Sequence, residues 1–277
     1  MPNVNSVGAR AWAFSVWALV AFFVLNLAAM IATVVVDSFG TRWFTTWLPA
    51  GWTGNWYGTA WNEFQLPQVL LVTLEVVGAV VLLSGLLGVP AAYALARRQF
   101  PGRRAVLLLF LLPLLVPPIT YGIPLATVLY QAHAAGTIWG VILANLVPTV
   151  PFVILIMIPF VEQIDPRVEG AARVFGARTG RLFAQILLPL LLPGILAALL
   201  LVLVRTIAMF ELTFLTAGPT SQTLVVALYY AVFAAGVRSQ QSIDAMAVVY
   251  MVTTMIWLLI TLRFVSPTQL VGRGRAA

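Results

Sequence analysis

The sequence predicts an all-α, polytopic membrane protein. Charge is scarce: 8% of residues are charged and 62% are hydrophobic, whereas a soluble domain carries roughly a quarter charged residues. The apolar residues also fall in long runs of about twenty, enough to cross roughly 30 Å of hydrocarbon. They do not alternate with polar residues, as the strands of a membrane barrel would. Finally, the cations sort to one side. All 15 basic residues are Arg, against 8 acidic ones, and six spans with the N-terminus in the cytoplasm place 12 of them inside. Only Arg42 and Arg238 then lie outside, and Arg205 lies within a span. That bias is the positive-inside pattern. The net charge of +7 therefore reads as topology charge at a membrane surface, and no nucleic-acid partner is expected. With no cysteine, there is no disulfide, thiol catalysis or Cys-based metal site.

Residues 12–36 form the first span. This run is too long for a signal-peptide core and lacks a convincing cleavage site, so it reads as a retained anchor. Residues 37–66 follow as an outer loop with Trp43, Trp47, Trp52, Trp56, Tyr57 and Trp61. Such rings favour the headgroup level; a sugar-stacking or aromatic-cage site is the alternative. Span two covers about 67–96 and ends in Arg97, Arg98, Arg103 and Arg104 around Phe100-Pro101-Gly102. Span three, about 105–130, contains Pro113, Pro117, Pro118 and Pro124, which remove backbone donors and break the helix. Irregular backbone at membrane depth needs cover from protein or water, so this span is expected to line a pathway or pack centrally. His133, in the outer turn that follows, reads as a surface residue. Span four covers about 138–160, span five 186–210 and span six 245–264. Residues 223–235 are apolar but short, as expected for a re-entrant or interfacial helix, and Ala217-Gly218-Pro219 is a breaker before them.

Between spans four and five lies a polar segment in which Arg167, Arg173, Arg178 and Arg181 crowd with Glu162, Asp165 and Glu169. At 3.6 residues per turn, Ala172, Phe175, Thr179 and Leu182 share one face. The expected element is a short amphipathic helix lying across the membrane, suited to docking, with an ordinary basic loop as the alternative. Gly176 either ends one short helix there or lets a partner approach closely.

This stretch resembles the EAA loop of permease subunits in binding-protein-dependent ABC importers: Glu-Ala-Ala, three residues, Gly, nine residues, Ile-x-Leu-Pro. Ala171 and Ala172 match the alanines, Gly176 the glycine, and Ile186, Leu188 and Pro189 the tail. Gly170 stands at the Glu position, with Glu169 one step before it. The similarity extends over most of residues 55–264. Trp56-Tyr57 resembles the approach to the second span in polyamine-type permeases. Phe214 to Tyr229 is similar to the same region in polyamine, opine, phosphonate and ferric iron permeases. Those relatives often carry an acidic pair slightly earlier; Ala208 and Met209 stand there in this chain, with Glu211 offset.

The resemblance implies the type I importer permease fold: an N-terminal helix within 1–66, a five-helix core over 67–264 that includes a coupling loop at 162–185, and a cytoplasmic tail at 265–277. It implies coupling to an ATPase through Glu169, Gly170, Ala171, Ala172, Phe175, Gly176, Ile186, Leu188 and Pro189. The implied partners are two ATP-binding subunits, which hold the ATP and Mg, a second permease chain of different sequence, and an extracytoplasmic solute-binding protein. The implied location is the bacterial inner membrane, with both termini cytoplasmic.

Charged groups inside spans are costly and therefore functional suspects. Glu75 in span two, Arg205 and Glu211 in span five, and Asp244 at the entry to span six are the candidates for solute contact. Structural pairing, for example Glu75 with Arg205, is the alternative. No Walker-type phosphate loop exists in a chain without Lys, and no zinc pair or nucleophile–base set is visible, so the chain is not expected to be an enzyme. The solute class favoured is polyamine, opine or phosphonate, with a sugar importer or an ion-gradient-driven carrier as alternatives.

Overall fold

The computed structural model describes residues 7–41, 43, 46–233 and 238–264. The expected tail with Arg273 and Arg275, the outer Arg42, and the end of the 223–235 helix lie outside the described residues.

The apolar runs form helices close to where the sequence places them. In order they are α1 (Val7–Phe39), α2 (Asn55–Glu63), α3 (Leu66–Arg97), α4 (Arg103–Leu115), α5 (Pro118–Gln131), α6 (Ile138–Glu162), α7 (Pro166–Val174) and α8 (Thr179–Leu182). A π-helical turn, Phe183–Leu187, leads into α9 (Leu188–Ile207), followed by α10 (Glu211–Thr216), α11 (Leu224–Phe233) and α12 (Gln240–Phe264). Among the described residues, five helices are long and apolar enough to cross a membrane, and six spans result if the bent pair α4 and α5 counts as one.

That bent pair is the broken third span that its prolines predict. The four prolines do not contribute equally to the break. Pro113 and Pro124 sit inside α4 and α5, and the single break falls at Val116 and Pro117, turning the axis by 102°. Each of these two residues precedes a proline. The ring of the next residue pushes the one before it out of the helical region, and Val116 and Pro117 both adopt ψ near 135° (135° and 134°).

The fifth span also differs from expectation. It is helical from Thr179, before residue 186, and ends at Ile207 rather than 210. The Pro189 ring opposes the carbonyl four residues earlier, and the chain accommodates this with a wider turn in which the Leu188 N–H donates to Phe183 O, five residues back. The first helix, in turn, runs on past residue 36 to Phe39.

The chain groups into two compact units. In the first, residues 1–65 and 231–251, the end of α1 meets α2. Ser38 Oγ and the Tyr57 hydroxyl are 2.8 Å apart, and Trp56 Nε1 donates to Gly40 O at 2.8 Å. Arg238 pairs with Glu63 at 3.0 Å and lies over the Phe64 ring. Of the loop tryptophans, Trp43 donates its indole N–H to Thr46 O, whereas Trp47 is 98% exposed.

In the second unit, residues 66–230 and 252–277, α3, α6 and α9 pack together. Val72, Val76 and Val80, then Val89, Ala92 and Leu95, form a stripe on α3 at helical spacing. It meets Val153, Ile154 and Met157 of α6 and Leu191, Ala198 and Val202 of α9. Lipid gives such helices little hydrophobic drive to associate, so small residues that permit close approach matter most. Gly88 shows this: a Cβ there would lie 2.7 Å from the Val153 Cβ.

Gly88→Val is therefore expected to destabilise the fold by about 1–3 kcal/mol through overpacking, seen as a lower melting temperature in detergent. Gly78→Ala meets open space and should keep that temperature or raise it slightly, since Ala favours a helix interior over Gly.

Candidate functional site

The first candidate site is the segment between α6 and α9. Asp165 caps α7, its side chain accepting the Arg167 N–H at 2.9 Å, and Pro166 follows at the first helical position, where its missing N–H costs nothing. At the other end the Gly176 N–H donates to Arg173 O and the Ala177 N–H to Ala172 O, at 2.9 and 3.0 Å. That pair of bonds is a Schellman motif, and it requires the left-handed φ of +80° that Gly176 adopts.

The chain therefore turns at Gly176. Ala172, Phe175, Thr179 and Leu182 do not share one helical face: Ala172 and Leu182 are buried, while Phe175 and Thr179 are exposed. Gly170, Ala171 and Gly176 are exposed as well, Ile186 is half-buried in the π turn, and Leu188 and Pro189 are exposed at the start of α9. Val174 and Phe175, 87% and 90% exposed, form an apolar knob.

Glu169 points the other way. It is only 8% exposed. Arg97 Nε donates to its Oε1 at 2.7 Å and the Tyr93 hydroxyl to its Oε2 at 2.6 Å. Arg97 Nη2 also donates to Ile164 O at 2.6 Å. Sequence reasoning counted Arg97 only as a topology charge and passed over Tyr93. The two lie four residues apart on one helix face, but nothing in the sequence places that face against Glu169.

The second candidate site lies in the span-forming helices. Glu75 is exposed on α3 and, among the described residues, is in no salt bridge. It lines an open pocket of about 630 Å³ with Ala79, Thr137, Trp139, Ile142 and Thr220. One wall is fixed by Gly136, whose N–H donates to Thr216 O and whose carbonyl accepts from Ser221 Oγ. The alternative pairing of Glu75 with Arg205 does not form: the Arg205 guanidinium lies 5.0 Å from the centre of the Phe152 ring. Glu211 is not in span five but opens α10. Asp244 sits in the second turn of α12, accepting from Gln240 and lying against Asp37.

Residues that the sequence did not single out complete this region. Asn145 donates to Thr213 Oγ1 at 3.1 Å and to Val141 O at 2.9 Å. Its own Oδ1 and the Tyr121 hydroxyl are buried without a partner among the described residues. Neither is charged, so neither stood out as a polar intrusion.

Residues 84–273 match the family of binding-protein-dependent transport system inner membrane components. The chain belongs to this family. It is the multi-pass, inner-membrane permease component of an ABC importer, and such subunits are not enzymes and carry no cofactor. The permease is 33% identical over 186 residues to the molybdenum transport system permease protein ModB of Haemophilus influenzae, a match covering 61% of this chain and 81% of that one. It is 25% identical over 220 residues, 76% of each chain, to the putrescine transport system permease protein PotI of Escherichia coli. Its fold matches a chain from a bacterial ABC transporter involved in the import of the acidic polysaccharide alginate, with a TM-score of 0.78 over 95% of this chain and 99% of that one, at 18% identity.

The Schellman turn gives a direct expectation. Gly176→Ala places a side chain in the left-handed region at a cost of about 1–2 kcal/mol. Hydrogen exchange at the amides of residues 176 and 177 should quicken about tenfold or more, while α3 amides keep their protection.

Proposed function

We propose that this permease forms half of a pathway for a solute bearing a cationic amine, and that ATPase subunits dock on the exposed knob of Val174 and Phe175. A second, different permease chain supplies the other half, and a solute-binding protein delivers the solute from outside. Both termini face the cytoplasm, which brings the Arg-rich segment 162–185 to the side where ATP is.

One observation carries the solute class. Glu75 opens into a pocket beside Trp139 and has no ion-pair partner among the described residues, while Arg205 is already seated on Phe152. A carboxylate at membrane depth calls for a counter-charge, and an indole face beside it suits an ammonium group. Glu211, also outside any salt bridge among the described residues, adds negative charge further along. A second reading has its own support: Phe210, Phe214, Tyr229 and Tyr230 cluster with ring centres 4.9 to 5.9 Å apart, a surface on which a sugar ring could stack.

The test is ATP hydrolysis by the assembled transporter in proteoliposomes, with its binding protein, against putrescine, sulfate and a chitobiose-type disaccharide. Putrescine stimulation that falls about tenfold or more in Glu75→Gln fits loss of a charge-assisted contact. Stimulation by the disaccharide alone favours the aromatic surface, and stimulation by sulfate alone overturns both readings. Separately, Phe175→Glu is expected to release the ATPase subunits during purification; full retention counts against the knob as the docking surface.

A further inference from the structure

The inward face of the 162–187 segment takes no part in docking, yet it is the more tightly held of the two. Two residues of α3 grip it at three points. Arg97 Nη2 holds Ile164 O ahead of α7. Arg97 Nε and the Tyr93 hydroxyl hold the two oxygens of Glu169 within α7. The Tyr93 ring meets Phe183 edge-on, 5.9 Å between centres, in the π turn after α8. The start, middle and end of the segment are thus fastened to one turn of one helix.

A displaced α7 must either break these contacts or take α3 along. Breaking them is the costlier course. Hydrogen bonds to an ionised carboxylate are stronger than neutral ones, and a buried Glu169 stripped of its partners would be an uncompensated charge. The helix that would be carried is continuous from Leu66 to Arg97. From Arg97 back to Thr73 it spans about 36 Å at about 1.5 Å per residue. At that far end Thr73 Oγ1 accepts the Leu224 N–H at 2.9 Å, and Glu75 faces the pocket.

We propose that Tyr93 and Arg97 are the positioning residues through which movement of the coupling segment enters the membrane helices: they hold Glu169, and α3 follows. The proposal rests on the docking reading above. It assigns Glu169 a role inside this chain rather than against the ATPase.

The chain has no cysteine, so Gly78→Cys, at an open position on the exposed side of α3, gives a single reporter thiol. The assembled transporter is purified through a tag on this chain with its ATPase subunits bound. Maleimide labelling of the thiol is then timed with and without ATP and vanadate. The parent is expected to show a several-fold nucleotide-dependent change in labelling rate. In Tyr93→Phe and Glu169→Gln, hydrolysis continues while that change shrinks about tenfold, the scale of a lost hydrogen bond to a charged group. Arg97→Lys keeps more of the response than Arg97→Gln.

A scaffold role would lower melting temperature and hydrolysis together and leave the response of the surviving molecules intact. Full responses in all these variants overturn the proposal. So does a thiol that labels in the parent at a rate unchanged by ATP and vanadate while hydrolysis proceeds, because the surroundings of α3 then do not change. A parent that retains no ATPase subunit overturns the docking reading instead, and the grip proposal with it.

Discussion

A carboxylate out of water must have partners, and much of the arrangement at one end of this molecule follows from where Glu169 finds them. Removing one partner of a buried ion pair costs about 3–5 kcal/mol; with side chains 11% and 15% exposed, this pair belongs at the lower end. Arg97 and Tyr93 must therefore stay at the end of α3, and α7 must present its fourth residue toward them. Two faces result. The inward one carries Glu169, tied to α3, beside the buried Ala172. The outward one carries Val174 and Phe175, which nothing in the described chain covers.

The position of that carboxylate also separates this chain from the family pattern it resembles. Successive residues on a helix are turned by about 100°. Gly170, at the pattern's Glu position, is exposed, and Glu169, one step earlier, is buried. The carboxylate one step before the pattern's Glu position therefore lies on the inner side of α7. Outside, Val174 and Phe175 stand among the exposed Arg167, Arg173, Arg178 and Arg181, so docking at this surface, as proposed, would combine the burial of two hydrophobic side chains with positive charge. Desolvating Val174 and Phe175 fully would favour association by about 1.5–3 kcal/mol each.

The helical architecture was legible because its cause is local: apolar runs of the right length and a strict scarcity of charge. The break at Val116 was only half legible. Consecutive prolines force extended backbone before each ring, but Pro113 and Pro124, with no second proline beside them, are absorbed within helices. The Schellman turn could be anticipated from Gly176, yet a 3.6-residue wheel drawn through it joined Phe175 and Thr179 across a chain reversal. The grip was hidden because its members lie 72 and 76 residues apart, and no sequence pattern specifies which arginine of a basic cluster turns inward. Asn145 and Tyr121 were hidden for another reason, since a single uncharged polar group within an apolar run resembles ordinary helix packing.

The solute is where family membership stops deciding. The relatives are named for cargoes as different as putrescine and molybdenum, so the fold alone does not choose and the side chains of each chain must. In this chain the charged ones are held unequally. Arg205 is engaged by Phe152, which offsets part of its cost at depth and draws its charge to one wall. Glu75 and Glu211 have no comparable neutralisation among the described residues. On the proposed pathway, Glu75 is a carboxylate left without an ion-pair partner among the described residues, with Trp139 beside it, and the amine reading rests on that pairing. Which charges are already engaged decides what a pathway could offer a solute, and that could not be read from the residues until their neighbours were known.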